Sequence, residues 1–183
     1  MEPTYSPPGI PHGQMRAAER NRRTALAIAR CLAILLCAAV IPSTASAQRV
    51  RITGLSDVDF GLITNLQAES RRSQMICVFS NSTGNAYSVS AAGSGPGGSF
   101  TLANGSSELA YNVEWSQQSG QTAGTSLTAN GLLSGQTSAA THQFCNRGPP
   151  SSASLTIILR AATLSRALEG NYTGSLTLLI AAE

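Results

Sequence analysis

Past residue 47 the apolar residues never gather into a long stretch; they come in short runs that alternate with Ser, Thr, Asn and Gly. Alternation puts every second side chain on one face of a strand, whereas a helix needs a repeat of about 3.6 residues. Leu109, Tyr111, Val113 and Trp115 share a face in this way, with Asn112 and Glu114 on the other. Val50, Ile52 and Leu55 alternate similarly, and so do Val58, Phe60 and Leu62, a run interrupted by Gly61. The pattern dictates strands.

Turn chemistry divides these runs. Gln74–Phe79 reads as a compact strand, Asn81–Asn85 as a turn and Ala86–Ser90 as the paired strand of a hairpin. Gly93–Ser99 is a loop, Phe100–Ala103 a strand, and Asn104-Gly105 the turn leading to Leu109–Trp115. Residues 116–142 are polar and low in complexity, consistent with short strands and long surface loops. Leu155–Leu159 and Tyr172–Ile180 close the chain, and Ala161–Leu168 is the one segment with helical leanings. About eight strands spaced by turn signals imply an all-β antiparallel sandwich.

The first 47 residues have a different character. Arg16, Arg20, Arg22 and Arg23 precede the apolar run Cys31–Ile41, followed by Pro42 and the small residues Ser43–Ala47. This is the layout of a secretory signal, with Ala45 and Ala47 at the cleavage positions. The apolar core is about 11 residues, short of the ~20 that anchor a chain in a bilayer. Arg30 and Leu36 stand before Cys31 and Cys37, where a lipoprotein signal would need a small residue. Met1–Gln14, rich in Pro and Gly, is unlike a signal, and Met15 offers an alternative start. The mature domain is therefore expected to span 48–183.

That part carries seven arginines, seven acids and no lysine, so the net +3 of the whole sequence belongs to the leader. Without a basic cluster there is no case for nucleic acid or an anionic membrane as partner. Two cysteines remain, Cys77 and Cys145. In an exported chain they are expected to form one disulfide, the other reading being two separate thiols.

No catalytic constellation stands out, and the chain is expected to be neither an enzyme nor a cofactor or metal protein. His142 lies three residues before Cys145, but a Cys/His nucleophile competes with oxidation of that cysteine to Cys77. The Gly93–Ser99 loop lacks the lysine and hydroxyl of a phosphate-binding loop. Asp57 and Asp59 alternate with Val58 and Phe60 as a strand's solvent face would. Asn81, Asn104 and Asn171 match the Asn-x-Ser/Thr pattern, as chance predicts in a chain so rich in Ser and Thr. Trp115, Tyr111, Phe100 and Tyr87 could line a carbohydrate platform but suit core packing better.

Several segments together resemble a known family. Val58-Asp-Phe-Gly61, Ile76-Cys-Val-Phe79 followed by Tyr87-Ser-Val-Ser90, Tyr111-Asn-Val-Glu-Trp115 and the tail Gly170–Glu183 are similar to the spore coat protein U domain, shared with pilins of the archaic chaperone–usher pathway. The resemblance covers nearly all of residues 50–183. It implies an incomplete immunoglobulin-like sandwich whose missing strand comes first from a periplasmic chaperone and then from the next subunit, with an outer-membrane usher as a further partner. It implies a secreted subunit, passing through the periplasm to a surface pilus or coat.

The residues permit a physical version of that claim. The sequence ends at Glu183 directly after the 172–180 strand, so Leu176, Leu178 and Ile180 are expected to line the edge of an open apolar groove. Burying four or five large side chains of an added strand would contribute ~8–12 kcal/mol before ordering costs. A donor segment is less apparent: only Gln48–Leu55 precedes the Asp-Phe-Gly motif, and it reads equally as strand one. The rival expectation is a self-contained extracellular sandwich that binds a carbohydrate or surface through the loops at 93–99 and 116–142.

Overall fold

The structure, a computed structural model, describes residues 47–183. Residues 1–46, with Ala45 and the apolar run of the expected signal, lie outside the described residues; Ala47 is exposed and in no regular element. Among the described residues ten strands form: β1 (Val50–Thr53), β2 (Ser70–Ser80), β3 (Ala86–Gly93), β4 (Thr101–Asn104), β5 (Ser107–Ala110), β6 (Asn112–Ser116), β7 (Thr125–Leu127), β8 (Leu132–Thr137), β9 (Ala153–Leu159) and β10 (Leu176–Ala182). One α-helical turn in the described residues, α1, spans Ala161–Leu164, and two 3-10 turns cover Thr83–Asn85 and Pro96–Gly98. One sheet runs β1-β2-β9-β6-β7 and the other β10-β3-β8, with β4 and β5 as a separate hairpin. All the strand ladders are antiparallel. The result is the all-β sandwich with one disulfide.

The core lies between the sheets. Ile76 and Val78 of β2, Tyr87, Val89 and Ala91 of β3, Val113 and Trp115 of β6, and Leu155 and Ile157 of β9 fill it. Trp115 is 1% exposed; its indole Nε1–H donates to the Tyr87 hydroxyl at 3.2 Å, and the rings meet edge to face. That bond satisfies the polar handle that makes a buried Trp costly. Phe100 stacks on Tyr111 with centroids 5.6 Å apart. The aromatics are core, as their alternation suggests.

Strand β9 is buried along its whole length, Ala153 to Leu159, because it sits centrally and its small outer side chains are also covered. Ser154 Oγ donates to the Gln118 carbonyl at 2.9 Å and accepts from Gln121 N–H at 3.0 Å, while Thr156 Oγ1 pairs with Ser73 Oγ at 2.7 Å. A strand hydrophobic on one face and hydroxylated on the other can thus be buried on both without orphaned polar groups.

Four local expectations are corrected. The 81–85 turn does not make a hairpin: β2 and β3 belong to different sheets, and the chain crosses between them. Ser80 and Ser82 hydroxyls both donate to the Ala86 carbonyl and hold the crossing. Leu109–Trp115 is two strands with different partners: β5 pairs with β4, a register that the Tyr111 N–H continues by donating to the Phe100 carbonyl at 2.9 Å, whereas from Asn112 onward the chain pairs with β9 and β7. Val58, Phe60 and Leu62 form no strand: Gly61 at φ 62° resets the alternation, leaving Leu62 91% exposed while Ile63 turns to the core. The last strand starts at Leu176 rather than Tyr172 and runs to Ala182.

Candidate functional site

A sandwich's open edges are where its backbone can still bond to something else. Strands β1 and β7 end the larger sheet, β8 and β10 the smaller. β7 has three residues. β1 has four, and beyond Thr53 the chain stays beside β2 through side chains alone. Gln74 Oε1 accepts from Ser56 N–H at 3.0 Å and from its hydroxyl at 3.1 Å; Arg72 donates to the Asp59 carbonyl at 3.2 Å and the Phe60 carbonyl at 3.4 Å.

β8 is interrupted by a bulge opposite Ser88, with Gly135 at φ 70°. The Gly135 N–H donates to Glu183 Oε2 at 2.9 Å, and the Thr137 N–H to Gln117 Oε1 at 2.7 Å. Short length, bulges and backbone donors already engaged by side chains all blunt an edge.

β10 has none of these protections. Its seven residues pair with β3 in unbroken register, from Leu176↔Gly93 to Ala182↔Tyr87. Among the described residues, no hydrogen bond beyond those to β3 reaches the backbone of 176–182. The strand Leu-Thr-Leu-Leu-Ile-Ala-Ala carries no charge and no proline. Leu176, Leu178, Ile180 and Ala182 face inward yet stay only half-buried, in contrast to every residue of β9. The first three pack on the core, as do half-buried Val50, Ile52, Val58, Phe60 and Ile63 from β1 and the segment after it. β1 and β10 approach within 8 Å, Cα to Cα, at several positions. One flank of the core thus lies between two edge strands of different sheets, partly covered.

The disulfide joins Cys77 of β2 to Cys145 in the loop between β8 and β9, with their Cα atoms 5.9 Å apart. Cys145 therefore carries no free thiol and cannot be a nucleophile beside His142. His142 Nδ1 accepts instead from the Phe144 N–H at 3.4 Å, and the Arg51 guanidinium lies 4.0 Å from the Phe144 ring centroid. Asp57 and Asp59 are exposed, and Asp59 Oδ1 accepts from Gly61 N–H at 2.7 Å. Among the described residues no three of His, Cys, Asp and Glu gather as metal ligands would, and no helix is long and apolar enough to cross a membrane.

The ion pairs among the described residues gather on the outer face of the larger sheet. Arg71 pairs with Glu69 at 3.0 Å and Glu114 at 3.2 Å, and Arg160 pairs with Glu69 at 2.6 Å. Glu114, on the strand face opposite Val113 and Trp115, is nonetheless only 8% exposed because these arginines and the Gly124 N–H cover it. The Arg71 hydrogen bond, with help from Arg160, holds the Glu69 carboxyl below its ordinary range despite some desolvation. Burial pushes the Tyr87 hydroxyl up to about 12, partly offset by the Trp115 N–H.

Sequence reasoning named Leu176, Leu178 and Ile180, and the structure puts them together on one face of β10. It did not name Ala182, which the same period of two would have reached, nor the opposing wall of Val50, Ile52, Val58, Phe60 and Ile63. Those five were legible as apolar but not as neighbours of the last strand.

No family model and no curated protein matches the sequence. Among solved structures, a chain from work described as "Chaperone-tip adhesin complex is vital for synergistic activation of CFA/I fimbriae biogenesis" aligns with TM-score 0.51 at 16% identity. The alignment covers 73% of this chain and 41% of that one, so this chain spans about two-fifths of its neighbour's length. At that identity the likeness is one of fold. It supports an antiparallel immunoglobulin-like sandwich for this chain.

Proposed function

We propose that this chain is a secreted, non-enzymatic structural subunit of a surface pilus, fibre or coat, assembled by accepting a strand from a partner along β10. The observation that carries this reading is the unprotected edge of β10 above a half-covered row of Leu176, Leu178, Ile180 and Ala182. An added strand would bond to the free side of that backbone and send alternate side chains into the flank beside β1. The partners in this reading are a periplasmic chaperone, an outer-membrane usher and neighbouring subunits, as the resemblance to the spore coat protein U and pilin family implies. The fold shared with a chain of a fimbrial chaperone–adhesin complex supports it. The disulfide supports passage through an oxidising compartment.

One observation bears on how such a subunit would take part. Residues 50–53 already pair with 77–80 of the same chain, so donating them would mean breaking that ladder. This favours a subunit that accepts a strand. It also keeps open the reading as a self-contained extracellular binding module. The two readings separate in one experiment: export of the chain with and without a co-expressed periplasmic chaperone. The assembly reading expects aggregated or partly unfolded protein alone and a soluble one-to-one complex with the chaperone. A cooperatively folding monomer with no affinity for the chaperone would overturn it.

A further inference from the structure

The two edges of the smaller sheet are treated differently, and the difference rests on two side chains. At β8, Gln117 reaches from the β6–β7 loop so that its Oε1 accepts both the Thr137 N–H at 2.7 Å and the Thr137 hydroxyl at 3.2 Å. The neighbouring Ser138 N–H bonds to the Asn85 carbonyl at 3.0 Å, on the β3 side. Backbone groups of successive strand residues point to opposite sides, so the Thr137 N–H points away from β3, where an incoming strand would seek a donor. Two residues earlier the Glu183 carboxylate, just past the end of β10, takes the Gly135 N–H at the bulge. Both groups are polar acceptors from outside β8. No comparable side chain is bonded to β10 among the described residues.

We propose that Gln117 and Glu183 guard the β8 edge, directing strand addition to β10 alone. The inference rests on the reading of β10 as an acceptor edge and adds the residues that make acceptance one-sided. With the Gly135 and Thr137 N–H groups engaged, an added strand at β8 must break these contacts to complete a ladder, and the bulge puts its register out of step.

The test uses the full chain, disulfide intact, refolded from denaturant with a synthetic peptide that alternates valine and threonine between lysine ends. Native mass spectrometry counts bound peptide, and hydrogen exchange locates it. The wild-type chain is expected to take a single peptide, with new protection over 176–182 and none over 132–137. The double variant Gln117→Ala, Glu183→Ala is expected to take a second peptide, or to pair with another copy, with new protection over 132–137. A variant that remains limited to one peptide although its Thr137 amide exchanges faster overturns the guard role and leaves β10 as an acceptor. Two peptides on the wild-type chain overturn it as well. No peptide on the wild-type chain removes the acceptor reading, and the inference with it. Should the double variant fail to refold, the single variants Gln117→Ala and Glu183→Ala carry the same test: each is expected to gain protection over 132–137 with peptide, and the guard role is overturned if neither does.

Discussion

Leu178 lies midway along β10, inward-facing and half-buried, so the effect of removing it should depend on whether the flank beside it is filled. Leu178→Ala deletes three carbons, worth ~2.4 kcal/mol at ~0.8 kcal/mol per methylene when fully buried. At a half-exposed site, with room for neighbours to relax, about 1 kcal/mol is lost. Once a strand covers the site, the same truncation also leaves a cavity and moves into the 2–5 kcal/mol range of core Leu→Ala changes. The difference, roughly 1–4 kcal/mol, must appear as weaker binding, about fivefold to several-hundredfold in Kd for the strand. Leu155→Ala is the control: it sits in β9 at 2% exposure and should cost about the same in both states. Denaturant unfolding of the chain alone and of its complex with a chaperone or strand peptide, for wild type and each variant, gives the required differences. If Leu178→Ala in the free chain costs as much as Leu155→Ala, the flank is already closed and the reasoning fails. Equal binding by Leu178→Ala and wild type would refute it too.

Two further outcomes follow from the geometry. Replacing both Cys77 and Cys145 by Ser removes a cross-link spanning 68 residues and should lower stability by about 4 kcal/mol on the chain-entropy view, read as a fall in the denaturant midpoint. Because the Glu69 carboxyl is held low in the folded state, its contribution is present above its ordinary range and lost as pH falls through that range and below. Glu69→Gln should therefore lower the midpoint at neutral pH and leave a shallower acid limb, while unchanged pH dependence would show the ion pairs to be without consequence.

How much of this was legible beforehand depends on the range of the forces involved. The inward face of the last strand could be read because Leu176, Leu178 and Ile180 repeat at the strand period in a run without charge or proline. The pairing of Cys77 with Cys145 followed from the expectation of export and from their number. The hairpin expected at 81–85 failed because a turn signal marks a reversal without saying whether the chain stays in its sheet. The burial of Glu114 was illegible for a similar reason: alternation puts it on the face away from Val113 and Trp115, but only Arg71 and Arg160, distant in sequence, close that face over it.

The sequence by itself determined the periodicity, hence strands, their inward faces, an all-β class and the disulfide, since these depend on side chains a few residues apart or on a count. Only the tertiary structure decided which strands share a sheet, that Tyr111 divides one run in two, and which edge is left bare. Gln117 and Thr137 are 20 residues apart, and Glu183 and Gly135 are 48 apart. Whether such side chains reach a backbone donor is set by how the whole sandwich closes, and no local pattern carries that information.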